Sequence, residues 1–136
     1  MIRVLFDTNT ILDVLLNREP WVRESREIWR ANDENRISGY IVASAFTDIF
    51  YIARKLTDVQ TARAAIEICL DAFAVCPVSR ETIERAAAMS GQDFEDNLVM
   101  ACAELMGLDV IATRNKDDFV DASVEILSPS ELLELL

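Results

Sequence analysis

Histidine is absent from the 136-residue sequence, and with it goes the commonest general base of enzymes. Any chemistry must therefore run on carboxylates, amides, hydroxyls or a metal. Glycine and proline are scarce, three of each, which excludes collagen-like, linker-rich and most loop-dominated designs. The three cysteines, Cys69, Cys76 and Cys102, form no CxxC pair and are odd in number. Cys69 and Cys102 lie in apolar helical stretches, the pattern of buried free thiols in a reducing compartment. A cysteine nucleophile would need an activating base, and there is no histidine to supply one. No basic-then-apolar leader opens the chain, and charges interrupt every apolar run before membrane-spanning length. These features predict a soluble, cytoplasmic protein with no membrane partner.

Positive charge is also short, and unevenly so. Residues 1–92 carry 13 acids and 11 bases, whereas residues 93–136 carry 11 acids and 2 bases. The net charge of −11 therefore sits mostly in the last third of the chain. That balance excludes a protein holding nucleic acid mainly through a basic face. It permits a site that concentrates divalent cations, although a merely soluble acidic surface is the plainer account. With 51% hydrophobic and 27% charged residues, the chain is expected to fold as one domain, residues 1–136, with a real core.

Short apolar runs alternate with helical periodicity. Ile2 to Phe6 reads as a buried strand, ending at the turn- and cap-forming Asp7, Thr8, Asn9. Helices are expected over Thr10 to Leu16 and Trp21 to Asn35, then a strand over Gly39 to Ala43. Ser44 and Asp58 are candidate caps for the next two helices. Ala74 to Val78 is a third strand, demoted to an edge by Pro77. Ser79 can start another helix, but Thr82 in place of an acid or amide three residues on argues against a full capping box. Asp93 to Met106 is a strong helix closed by Gly107, followed by strands at Asp109 to Ala112 and Val124 to Leu127. Ser128 and Pro129 open a terminal helix. This order predicts a three-layer α/β/α fold around a mainly parallel sheet of about five strands.

In such a fold, a helix that follows a strand begins at the carboxyl edge of the sheet, and so does a helix that leads by a tight turn into a strand. Ligands bind at that edge, where strand order switches. The rule delivers Asp7, Asp48, Asp93 and Asp96 to one rim, together with Thr113, Arg114, Asn115 and Asp118 at the end of the fourth strand. Unpaired carboxylates packed together repel, and a cation is the chief means of neutralising them. Oxygen-only ligands select Mg²⁺ or Mn²⁺ over zinc.

Each residue also has a plainer reading. Asp7 and Asp93 suit helix caps, and Glu95 and Asp96 suit the positive end of a helix dipole. Asp48 lies among Ala45, Phe46, Ile49 and Phe50, where a lone carboxylate is costly to desolvate. Asp13 is expected to face solvent or a neighbouring arginine. Asp117 and Asp118 are open to ordinary solvation.

Five stretches in register, FDTNTILDVLLNREPW, ASAFTDIFYIARK, QDFEDNLVMACAELMG, DVIATRNKDDF and EILSPSELL, resemble the PIN domain, a family of metal-dependent nucleases. They are similar to its bacterial branch that includes the VapC-like toxins of toxin–antitoxin pairs. The resemblance implies a cytoplasmic endoribonuclease with Mg²⁺ or Mn²⁺, an RNA substrate, an antitoxin protein partner and a homodimer. Carried over by position, the catalytic acids fall on Asp7, Asp48 (where the family usually has Glu) and Asp96, with Asp93 as a nearby metal helper. The family's fourth acid falls on the neutral Asn115, and Asp118 is a substitute for it. Asn9 matches the polar residue two places after the first acid, and Thr113 a hydroxyl near the metal. Arg114 is a candidate phosphate contact. The alternative is a PIN-fold binding module, weak in catalysis because of Asn115, that acts through a protein partner. A phosphoacceptor receiver domain needs adjacent acids after the first strand, but Asp7 stands between Phe6 and Thr8. A haloacid-dehalogenase-like phosphatase needs a second Asp where this chain has Asn9.

Overall fold

A computed structural model describes all 136 residues. Its centre is a five-stranded, wholly parallel sheet in the order β3-β2-β1-β4-β5. The strands are β1 (Ile2–Phe6), β2 (Ile37–Val42), β3 (Ala74–Cys76), β4 (Val110–Ala112) and β5 (Glu125–Leu127). Seven helices connect them: α1 (Thr8–Leu15), α2 (Val22–Asp33), α3 (Ala45–Leu56), α4 (Val59–Ala72), α5 (Arg80–Ala87), α6 (Phe94–Leu105) and α7 (Pro129–Glu134). β1 is the middle strand, and Val4, Leu5 and Phe6 are fully buried because helices cover both faces of the sheet. α1 packs on α2 and α3, α3 on α4 and α2 on α7, while α5 pairs with α6. The layered, parallel architecture is the one the sequence predicts.

The chain runs outward from β1 through β2 to β3, then returns through α5 and α6 to place β4 on the other side of β1. Strand order therefore reverses between β1 and β4, and the crevice at their carboxyl ends is the natural ligand position. β3 is an edge strand, as Pro77 requires. Gly107 ends α6 at φ +63°, a left-handed conformation that glycine adopts without penalty.

Local departures from the sequence reading have simple causes. α1 starts at Thr8 rather than Thr10, because the Asp7 side chain accepts from the Thr8 N–H and caps the helix directly. β2 starts at Ile37, two residues early, because Ile37 already pairs with Ile2. A capping box does form at Ser79: the Thr82 hydroxyl accepts from the Ser79 N–H at 3.1 Å, doing the work expected only of Glu or Gln. Ser44 does not cap α3, since its backbone is already helical and its buried Oγ finds no partner. All three cysteines are buried free thiols, and burial pushes those of Cys69 and Cys76 up to about 12.

Beneath β2, Asn32 spans three elements. Its Nδ2 donates to the Ala72 carbonyl at 2.7 Å, and its Oδ1 accepts from the buried Gly39 N–H at 2.8 Å. Asn32→Ala leaves both backbone groups without their partner and is expected to cost about 2 kcal/mol, read as a lower midpoint of urea unfolding with an unchanged slope.

Candidate active site

At the carboxyl end of β1 the backbone N–H of Asp7 donates to the Ala112 carbonyl at 3.0 Å, locking it level with the end of β4. The side chains then meet: the Thr113 hydroxyl donates to Asp7 Oδ2 at 2.8 Å, while Asp7 Oδ1 accepts from Thr8 at 2.9 Å. Asp7 is therefore both the cap of α1 and a member of the rim. Thr113 is fully buried, and its Oγ1 also accepts from the backbone N–H of Asn115 at 3.0 Å.

Above this junction lies an open cleft of about 360 Å³ with almost entirely polar walls. It brings together Asp7, Asp48, Asp93 and Asp96, joined by Asn9, Asn115 and Asp118. The acids come from four separate segments: the end of β1, the first turn of α3, the cap and first turn of α6, and the turn after β4. Asp93 caps α6 by accepting from the Asp96 N–H at 3.1 Å and lines the cleft as well. Asp118 is exposed, on a 3₁₀ turn at the mouth.

Glu95 is a cleft residue that the sequence reading assigned to helix-dipole stabilisation alone. The neighbouring Asp48 carboxyl, together with burial and the charges of Asp93 and Asp96, holds its pKa up at about 7. The one signal available was adjacency. Glu95 sits between two rim acids in the opening turn of α6, but its partner on α3 is 47 positions away in sequence.

The electrostatics record the crowding. Burial raises the pKa of Asp96 to about 7, with the charges of Asp93, Asp7 and Asp118 adding to the shift. Burial also raises that of Asp7, against the lowering effect of its hydrogen bonds from Thr113 and Thr8. No positive side chain contacts these carboxylates, and the donor set is oxygen only. No three of the acids stand ready to ligate one ion together. Mg²⁺, however, keeps several of its waters and is commonly held by one or two carboxylates, so Asp7 and Asp96, with Asp48, Asp93 and Asp118 around them, are a fitting set.

Two expected residues are occupied in a different way. Asp13 is wholly buried rather than solvated, and it is clamped by two arginines: Arg18 Nε at 2.9 Å and Arg114 Nε at 2.8 Å. Arg18 was its foreseeable neighbour; Arg114 arrives from the end of β4. The guanidinium of Arg114 also lies 3.7 Å over the ring of Trp21. Arg18 reaches on to Asn9 Oδ1 at 3.2 Å, tethering that cleft residue from behind.

A parallel, doubly wound α/β protein with an acid-walled cleft at its switch point is the class that fold and site define. The family model of the PIN domain matches residues 3–117, and the chain belongs to the PIN domain family. Among curated protein sequences none matches it. Among solved structures, a toxin–antitoxin complex from Klebsiella pneumoniae aligns at 24% identity, with a TM-score of 0.69, over 93% of this chain and 97% of that one. DNA-bound VapBC from Salmonella typhimurium aligns at 19% identity, with a TM-score of 0.71, over 95% and 99%. VapC20 of Mycobacterium tuberculosis, described as a sarcin-ricin-loop-cleaving toxin, aligns at 14% identity, with a TM-score of 0.65, over 79% and 86%. At these identities the likeness is one of fold.

The raised acids make stability depend on pH with a definite sign. In the folded chain Asp96 and Glu95 hold protons up to about 7, whereas their ordinary values are 3.8 and 4.5. Between those limits the folded state binds more protons, so their contribution falls as pH rises and levels off above about 7. Melting temperature in chelator is expected to fall across that window, and Asp96→Asn to flatten the fall. An unchanged profile in the variant contradicts the assignment.

Proposed function

We propose that this PIN domain is a divalent-cation-dependent endoribonuclease, acting as the toxin of a toxin–antitoxin pair. The observation that carries the reading is the meeting of Asp7, Asp48 and Asp96 in one cleft at the β1/β4 switch point. Support for the substrate class comes from family membership and from the relative described as cleaving the sarcin-ricin loop. Support for a protein partner comes from relatives described as toxin–antitoxin and VapBC complexes. An antitoxin and a second copy of this chain are the partners proposed.

Asp7 and Asp96 would hold Mg²⁺ or Mn²⁺, with Asp48, Asp93 and Asp118 completing the negative field and the Asn115 amide oxygen offering a neutral donor. A bound cation would supply the Lewis acidity that activates water for in-line attack on phosphorus and would offset the charge of the phosphate. The chain's own work is positional. Thr113 fixes the rotamer of Asp7, leaving the face of the carboxylate that looks into the cleft. Asp93 holds the first turn of α6, and so sets the height of Asp96. Arg18 steadies Asn9 beside Asp7. In this reading hydrolysis is direct: water, rather than a side chain, would attack phosphorus, and no covalent enzyme intermediate forms.

Asp7→Asn keeps an oxygen that can accept from Thr8 and so keeps the helix cap, but removes the charge. Cleavage of single-stranded RNA is expected to fall about 100-fold or more in Asp7→Asn and Asp96→Asn, with far-UV circular dichroism unchanged. Undiminished cleavage sinks the reading. Asn115→Asp restores a fourth acid and is expected to tighten Mn²⁺ binding about tenfold by calorimetry, since cation affinity follows ligand charge. The neutral Asn115 favours a second reading, a binding module acting through a protein partner. Absence of RNA cleavage both in Mn²⁺ and in chelator, with an intact partner complex, selects that one.

A further inference from the structure

We propose that a pocket beside the cleft is a subsite for one unstacked base of the RNA strand, with Trp21 as its stacking surface; the proposal rests on the ribonuclease reading above. Trp21 is 40% exposed although it is among the largest apolar side chains of the protein. It stands at the start of α2, where it makes no side-chain capping bond. One face of the ring is taken by the Arg114 guanidinium at 3.7 Å. Beside it lies a cavity of about 220 Å³ walled by Trp21, Arg114, Glu24, Ser25, Ser128 and Ser130.

A third depression lies between this cavity and the acid cleft and borders both. Arg114 lines it with Asn115, Lys116 and Asp118, and Asn115 and Asp118 belong to the cleft itself. A strand with its phosphate over Asp7 and Asp96 would pass Asn115 and Arg114 to reach Trp21. Arg114 and Lys116 are the only two cations of residues 93–136, and both stand on that path.

Their charges are already engaged. Asp13 holds Arg114 through Nε at 2.8 Å and Nη2 at 3.4 Å, and Glu131 holds Lys116 at 2.8 Å. Phosphate attraction is thus weak along this path, and the distinctive feature left is an aromatic ring with polar groups around it. That is the composition of a base-stacking site: the ring takes the π-face, and hydroxyls and carboxylate take the edge. The platform is rigid, because Asp13 is wholly buried between Arg18 and Arg114, and Arg114 fixes the ring in turn. Little ordering is lost when a base docks on a surface already held. A base within a duplex cannot reach the ring, so the ligand is single-stranded RNA.

The test uses the full chain in Mg²⁺, with a single-stranded oligoribonucleotide and its duplex as probes. Trp21→Ala is expected to raise KM for single-stranded RNA about tenfold, with the loss lying in KM rather than kcat, and Trp21→Phe to recover most of it. On the Asp7→Asn background, the single strand is expected to quench tryptophan fluorescence and the duplex to leave it unchanged. Trp21→Phe abolishes the quenching, because the remaining Trp29 is buried. An unchanged KM in Trp21→Ala overturns the subsite alone, and so does a lowered kcat and melting temperature at constant KM, which marks a purely structural tryptophan. Absence of cleavage by the unsubstituted protein overturns the ribonuclease reading and the subsite with it.

Discussion

The pairing of β1 with β4 is the contact on which the site depends. Because Phe6 and Ala112 lie in register, the next residue of each strand, Asp7 and Thr113, leaves the sheet at the same height. The hydrogen bond from Thr113 to Asp7 follows from that register. A slip of one residue along either strand reverses the faces of all its side chains and parts the two groups. The packing that forbids the slip is the burial of Val4, Leu5, Phe6, Val110, Ile111 and Ala112, none more than 2% exposed. The hydrophobic core thus acts on chemistry through register, and the cleft inherits its geometry from the sheet.

Two aspartates six positions apart show how environment divides structural from chemical work. Asp13 is wholly buried, and its charge is answered by Arg18 and Arg114. An ion pair of this kind joins α1 to the turn after β4, and removing one member strands a buried charge. Asp7 is held just as firmly, but by the neutral donors Thr113 and Thr8. Those bonds fix its position without cancelling its charge. Its neighbours Asp96 and Asp118 add repulsion. A folded chain that keeps carboxylates in this state forgoes stability at the rim, a pattern typical of sites that bind a cation or do proton chemistry.

Much of this was legible before any coordinates. Parallel-strand topology ties chain order to the carboxyl edge, so Asp7, Asp48, Asp93 and Asp96 were assigned to one rim from their places at strand ends and helix starts alone. Element ends were less legible, because caps decide them locally. Thr82 shows why: a hydroxyl accepted the bond that a longer acid or amide usually takes. Least legible were contacts made through space by side chains. Nothing in sequence links Asp13 to Arg114, or Glu95 to Asp48, and each pair exists only because α1 faces the turn after β4 and α3 faces α6 across the cleft. In the sequence Trp21 marks only the start of an expected helix, since its exposure depends on where the α1–α2 connection lies.

Asn115, where the resemblance expects a fourth acid, differs from an acid in charge. Its contribution to the junction is made by the backbone, whose N–H donates to Thr113 Oγ1, while Thr113 in turn donates its hydroxyl proton to Asp7. That relay is indifferent to whether the side chain is an amide or an acid. What the amide changes is the field: one negative charge fewer beside Asp7, Asp96 and Asp118, hence less mutual repulsion in the folded chain and a weaker hold on a cation. Asp118, exposed at the mouth on its own turn, lies close enough to raise the pKa values of both Asp7 and Asp96. The field lost at Asn115 is therefore partly restored from an exposed carboxylate on a separate turn rather than from a buried one.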